Sequence, residues 1–162
     1  MVIENLDELY REVILDHFRS PRNVGELPEA QIHADGTNPL CGDEMSFWLT
    51  LHAGRIQEVR FRGKGCAISQ AAGSMLTEQL KGKTVEEAGR LIHALKRLMQ
   101  GESLTADVEL GDLELLAGVR KFPVRVKCAA LSWNVVEQGL RNYQDQTSDV
   151  RRQKSDQEIS DL

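Results

Sequence analysis

The sequence predicts an α+β domain in which a small antiparallel β-sheet packs against helices on one face. Three observations point there. Strand formers gather in one stretch, roughly residues 31–62, and helical periodicity takes over from Ala67 onward. Strands first and helices after is the order of α+β chains, not of alternating α/β ones. A tight-turn signal, His52-Ala53-Gly54-Arg55, joins two strand candidates into a hairpin. The chain has 162 residues, enough for one domain with a core of its own.

The elements follow in order. Leu6, Leu9, Tyr10, Val13, Ile14, His17 and Phe18 recur at helical spacing, which predicts an amphipathic helix over about 4–19, stopped by Ser20-Pro21. Residues 21–30 hold two prolines and a glycine and read as a loop. A short strand is expected near Gln31–Ala34, with Asp35-Gly36 as a turn. Glu44 to Leu51 is rich in strand formers, and Ile56 to Arg62 alternates imperfectly, with Ile56, Val59 and Phe61 apolar. Ala67 to Leu80 reads as a helix capped by Gly82, and Thr84-Val85-Glu86-Glu87 fits a capping box. The next helix is expected from Val85 to about Met99, broken by Gly101 to Thr105. Asp112 to Ala117 makes a short helix ended by Gly118. Pro123 opens a new segment, with Cys128 at or near the first turn of a last helix that runs to about Tyr143. The domain is therefore expected to cover 1–143, with 144–162 a polar and disordered tail.

The bulk properties exclude some classes. A net charge of −5 gives the chain as a whole no electrostatic footprint for nucleic acid. No apolar run approaches a membrane span. The acidic opening Met1-Val2-Ile3-Glu4-Asn5-Leu6-Asp7-Glu8 lacks the basic flank and apolar stretch of a signal peptide, so a cytoplasmic location is expected. In that compartment an odd number of cysteines argues against disulfides.

Chemistry concentrates at the three cysteines. They sit in Asn38-Pro39-Leu40-Cys41-Gly42-Asp43, in Gly63-Lys64-Gly65-Cys66, and at the end of Phe122-Pro123-Val124-Arg125-Val126-Lys127-Cys128. A free cysteine is often just a small buried apolar group. Here Cys41 and Cys66 have glycine neighbours where a core position would have apolar ones. Three thiols and Asp43 are four candidate ligands for one tetrahedral metal ion. The same thiols could instead carry sulfur or hold an iron–sulfur cluster. Spacing alone is a weak metal signal, since no Cys-x-x-Cys is present. Hairpin geometry brings the start of one strand beside the end of the next, so Cys41, Asp43 and Cys66 should lie together; Cys128 can join them only through tertiary folding. Lys64, Arg125 and Lys127 are cations that would favour thiolates if they lie near. His17 falls on the apolar face of the first helix, His52 in a turn, and His33 and His93 have no partner visible in sequence, so all four read as structural or solvated. No serine-nucleophile motif, P-loop or dinucleotide fingerprint is present.

The three cysteine motifs, with Val119-Arg120-Lys121 leading into the third, resemble the IscU/NifU-like iron–sulfur cluster assembly proteins, and within them the SufU type. The opening from Leu9 to Asn23 is also similar, and the resemblance covers about residues 6–142. It implies the IscU/SufU-like fold and metal ligands at Cys41, Asp43, Cys66 and Cys128. In the IscU type a histidine directly precedes the third cysteine, where this chain has Lys127, and a Leu-Pro-Pro-Val-Lys segment stands where this chain has Phe122-Pro123-Val124-Arg125-Val126-Lys127. Residues from about Leu98 to Gly118 resemble the insertion of the SufU type. The SufU resemblance implies a zinc-dependent sulfurtransferase that accepts persulfide sulfur from a SufS-type cysteine desulfurase, with Cys41 the expected acceptor, and serves downstream iron–sulfur assembly proteins. The IscU resemblance implies a scaffold that builds and releases a transient [2Fe–2S] cluster, or holds iron, on the same ligands. A zinc-stabilised adaptor without sulfur chemistry is the third reading.

Overall fold

In a computed structural model the chain is described at residues 2–39, 42–104 and 107–160, with side chains from 8 to 148 within those limits. The elements run α1 (Val2–Arg19), β1 (Ile32–Asn38), β2 (Asp43–His52), β3 (Arg55–Lys64), α2 (Ala67–Leu80), α3 (Val85–Met99), a 3₁₀ segment (Gly111–Lys121) and α4 (Pro123–Ser160). The strands form one antiparallel sheet in the order β1-β2-β3, which makes the domain α+β as the sequence predicts. Among the described residues no helix is long and apolar enough to cross a membrane.

The hairpin turn has Ala53 at φ 52° and Gly54 at φ 77°. Two positive φ values are what a two-residue turn needs to match strand twist. The imperfect alternation in β3 has a local cause: the register slips between Thr50 and Leu51, so Gln57 is an extra residue and Ile56 and Val59 face the same side. Met45, Phe47 and Leu49 of β2, with Ile56, Val59 and Phe61 of β3, make the buried face. Ala71, Ala72, Met75, Leu76 and Leu80 of α2 and Ala129, Trp133, Val136 and Leu140 of α4 join them in one core. Each large side chain buried in this way contributes on the order of 1.5–3 kcal/mol. Helix α2 is buried almost all round because it lies between the sheet, α1 and α4. Gly73 permits that closeness, since a Cβ there would stand 3.0 Å from Phe61 and from the Met45 sulfur.

Three expectations change. Asp35-Gly36 is not a turn but the middle of β1. Asp35 accepts a hydrogen bond from the Ser46 hydroxyl across the ladder, and Gly36 leaves room for α4, where a Cβ would overlap Val135. Gly118 does not end the helical turn after Asp112; the segment continues to Lys121, and Gly118 lies against the Tyr10 ring of α1. Cys128 lies at the start of the second turn of α4, near the first as expected, and the helix begins at Pro123. Proline suits that position, having no N–H to leave unpaired. Helix α4 also does not stop at Tyr143 but runs on to Ser160. Residues 144–160 contain neither glycine nor proline and are rich in straight-chain polar residues that lose little freedom in a helix.

Candidate metal centre

The site forms where three pieces of backbone meet. Asp43 begins β2, Cys66 precedes α2, and Cys128 lies on α4. The carboxylate oxygen of Asp43 and the sulfurs of Cys66 and Cys128 all lie within 4.8 Å of one another. Asp43 and Cys128 are buried and Cys66 is half-buried, so Cys66 is the opening of the cluster. Cys41 lies outside the described residues.

Local backbone chemistry fixes each group. Cys66 occupies the N-cap position of α2, but its side chain makes no cap hydrogen bond. Serine or aspartate there would normally turn an oxygen back onto the helix N–H groups; the thiol is left free to face the cluster. The Cys66 N–H instead donates to Asp43 Oδ1 at 3.0 Å, and the Cys66 sulfur lies 3.9 Å from Asp43 Oδ2. The preceding residue, Gly65, has φ 149°, and a Cβ on it would overlap the Asp43 carboxylate. Only glycine therefore lets this carboxylate reach the start of α2. The buried Cys128 sulfur lies 3.7 Å from the Val124 carbonyl one turn earlier.

The donor set fits a zinc-like ion. Zinc binds thiolate at about 2.3 Å and carboxylate at about 2.0–2.2 Å in a tetrahedron. The sulfur–oxygen edge of such a tetrahedron is about 3.6 Å from those bond lengths, close to the 3.9 Å found between Cys66 and Asp43. Three donors from three elements leave a fourth position, and Cys41, two residues before Asp43 in the chain, is the thiol the sequence offers for it.

Of the three expected cations, Arg125 is found at the thiols. Its side chain shares a cavity wall with Cys66, and the negative charge of Cys66 first, then Cys128, raises the arginine above its ordinary pKa. Lys64 ends β3 and Lys127 directly precedes Cys128; both are exposed. Adjacent helical residues point about 100° apart, which turns Lys127 off the Cys128 direction. Cys66 and Arg125 line a cavity of about 590 Å³ with Lys121, Phe122, Pro123 and Val124. Phe122 and Val124 are 54% and 67% exposed. Sequence reasoning missed this apolar rim; its signal was two large apolar residues flanking the proline that opens α4.

The histidines stand apart from this cluster, as expected. His17 is 2% exposed and its Nδ1 lies 2.7 Å from the Ser74 hydroxyl of α2. Its Nε2 faces Glu78 at 3.7 Å and Asp112 at 3.8 Å. Burial, then the nearby Arg22 charge, lowers its pKa, while Glu78, Asp112 and Asp16 act in the opposite direction. His33 stacks on Trp48 and contacts Asp35 on the outer sheet face.

Comparison with known proteins matches residues 9–150 to the NifU-like N-terminal domain family. The chain is 44% identical over 136 residues to the zinc-dependent sulfurtransferase SufU of Bacillus subtilis, covering 84% of this chain and 92% of that one. It is 38% identical over 141 residues to the iron–sulfur cluster assembly scaffold protein IscU of Streptococcus pyogenes, covering 87% and 88%. Among solved structures, a protein of Fervidobacterium islandicum, described as a candidate iron–sulfur cluster assembly scaffold for the SUF system, superposes with a TM-score of 0.75 at 34% identity, covering 80% of this chain and 94% of that one.

Proposed function

The chain belongs to the NifU-like N-terminal domain family, and from that premise we propose that it is a zinc-dependent sulfurtransferase of the SufU type, taking persulfide sulfur from a SufS-type cysteine desulfurase for iron–sulfur cluster assembly. The observation that carries the reading is the Asp43–Cys66–Cys128 cluster with its cationic neighbour Arg125. A carboxylate and thiols at this spacing suit zinc, and Cys41 completes the ligand set. Zinc bound there supplies a compact positive charge that keeps its thiol ligands deprotonated.

The residues divide the work. Asp43 cannot carry sulfane sulfur, so it serves as ligand and as the acceptor that holds the start of α2. Cys128 is buried in α4 and is the least able of the described thiols to leave its place. Cys41 is the acceptor. Its thiolate attacks the outer sulfur of the desulfurase persulfide; the donor S–S bond breaks, the donor cysteine leaves as thiolate with the electron pair, and a new S–S bond forms on Cys41. The exchange is a two-electron displacement that needs no outside oxidant. The exposed Phe122 and Val124 and the cationic Lys121 and Arg125 give the partner an apolar and positive surface beside Cys66. The chain works in the cytoplasm on this reading.

A scaffold role, with a [2Fe–2S] cluster on the same ligands, draws on the similarity to IscU scaffold proteins. Lys127 in place of the histidine before the third cysteine favours sulfur transfer, because an ammonium is a poor metal ligand. The test is mass spectrometry after incubation with desulfurase and cysteine. A persulfide on Cys41, absent from Cys41→Ser, is expected. A fully competent Cys41→Ser, with the persulfide on Cys66 or Cys128, contradicts the acceptor assignment.

A further inference from the structure

We propose that Arg125 is the positioning residue of this centre: its guanidinium spans the Cys66 and Cys128 thiols, ties the start of α2 to the start of α4, and offsets part of the negative charge gathered there. The inference rests on the metal reading above for what the two thiols do, and on the cavity wall that Arg125 shares with Cys66 and its place one turn before Cys128 for the contact.

The two thiols come from elements far apart in sequence. Cys66 stands at the N-cap position of α2 and Cys128 sits in the second turn of α4. Arg125 lies three residues before Cys128, a spacing that places both on one side of the helix. It also shares a cavity wall with Cys66. One side chain on α4 therefore reaches a ligand on its own helix and a ligand on another.

Arginine suits this place better than lysine. Its guanidinium is a planar fork with five N–H donors and a permanent charge, so it can donate to two sulfurs at once. A lysine ammonium is a mobile point charge on a flexible stem. The charge is needed as well. Three thiolates and one carboxylate around a divalent ion carry a formal −2, and one guanidinium halves it. Donors behind metal ligands fix ligand direction, and their loss typically costs 10–100-fold in metal affinity. Arg125 is exposed, so replacing it should leave the core intact.

Two measurements test this together. The first is the zinc dissociation constant by chelator competition for wild type, Arg125→Ala, Arg125→Lys and Lys127→Ala. Arg125→Ala should weaken zinc about 10–100-fold. Arg125→Lys should recover part of the loss, and Lys127→Ala should fall short of the Arg125→Ala effect. The second uses reduced, metal-free protein and follows the Arg125 Nε–H resonance by NMR, assigned by its loss in Arg125→Lys. It should be shifted and slow to exchange, and should move to the position of a free arginine in Cys66→Ala and Cys128→Ala. Wild-type zinc affinity in Arg125→Ala, or a resonance indifferent to both cysteine substitutions, would overturn the proposal. Wild-type protein that binds no zinc would instead remove the metal reading, and the resonance would still decide whether Arg125 clamps the thiols.

Discussion

Replacing Gly65 by alanine strikes the centre without replacing a ligand. Two costs add. The native φ of 149° lies where a residue with a Cβ is rarely found, and forcing one there costs on the order of 1–3 kcal/mol. The new Cβ would also overlap the Asp43 carboxylate and push it off the Cys66 N–H. A hydrogen bond to a charged group contributes about 1.5–3 kcal/mol. Mid-range values sum to about 4 kcal/mol, and a domain of this size loses about 3 °C per kcal/mol, so Tm should fall by about 12 °C. Displacing Asp43 should also weaken zinc by at least about tenfold. Gly54→Ala is the control. Gly54 has φ 77° with open space around its would-be Cβ, so the variant should carry only backbone strain, on the order of 1–2 kcal/mol, and bind zinc normally. Differential scanning calorimetry and chelator competition read both quantities. Gly65→Ala with wild-type Tm and wild-type zinc affinity would refute the reasoning, because the carboxylate would then have no need of the space.

Three further outcomes follow from the same structure. His17 is buried with a lowered pKa, so the unfolded chain takes up its proton before the folded one does. Its stabilising effect is fully present above its unfolded pKa of about 6.5 and is lost as pH falls toward the folded value. Wild type should therefore lose more Tm than His17→Gln between pH 7.5 and 5, and parallel curves would contradict this. Stripping the metal should lower Tm clearly without unfolding the chain, since the apolar core does not depend on the ion; identical melting curves with and without zinc would argue against a ligand cluster that ties three elements together. We propose that residues 144–162 lie outside the functional domain, so truncation after Tyr143 should keep zinc content and sulfur acceptance near wild type. The small cost expected is a drop in Tm from the loss of Thr147 and Ser148, which line a cavity with Leu51 and Val85, and loss of zinc on truncation would place the boundary further along α4.

Much of this was legible because local signals agreed with tertiary ones. Helices α2 and α3 have the ends their caps announce: Thr84 accepts the Glu87 N–H at 3.1 Å, and Gly82 turns the chain at φ 88°. The pairing of Asp43 with Cys66 followed from hairpin geometry alone, and the structure holds them in contact. The misreadings share a cause. Asp35-Gly36 has the composition of a turn, but Gly36 is glycine because α4 crosses close above β1. Gly118 has the composition of a helix end, but it makes room for Tyr10. A glycine required by a neighbour distant in sequence looks the same as one required by its own φ. The extra length of α4 was hidden differently, since its polar C-terminal part has no apolar stripe to announce a helix. Which cation meets the thiols also depended on tertiary packing, and only the turn of α4 at Pro123 selects Arg125.

The central claim is tested most directly by metal and acid-labile sulfide analysis of the protein purified without oxygen. Sulfur transfer on a zinc centre predicts about one zinc per chain, a value set by the single Asp43–Cys66–Cys128 cluster among the described residues, with neither iron nor sulfide. Iron and sulfide in equal amounts, with zinc absent, would contradict it and make the chain a scaffold for the cluster.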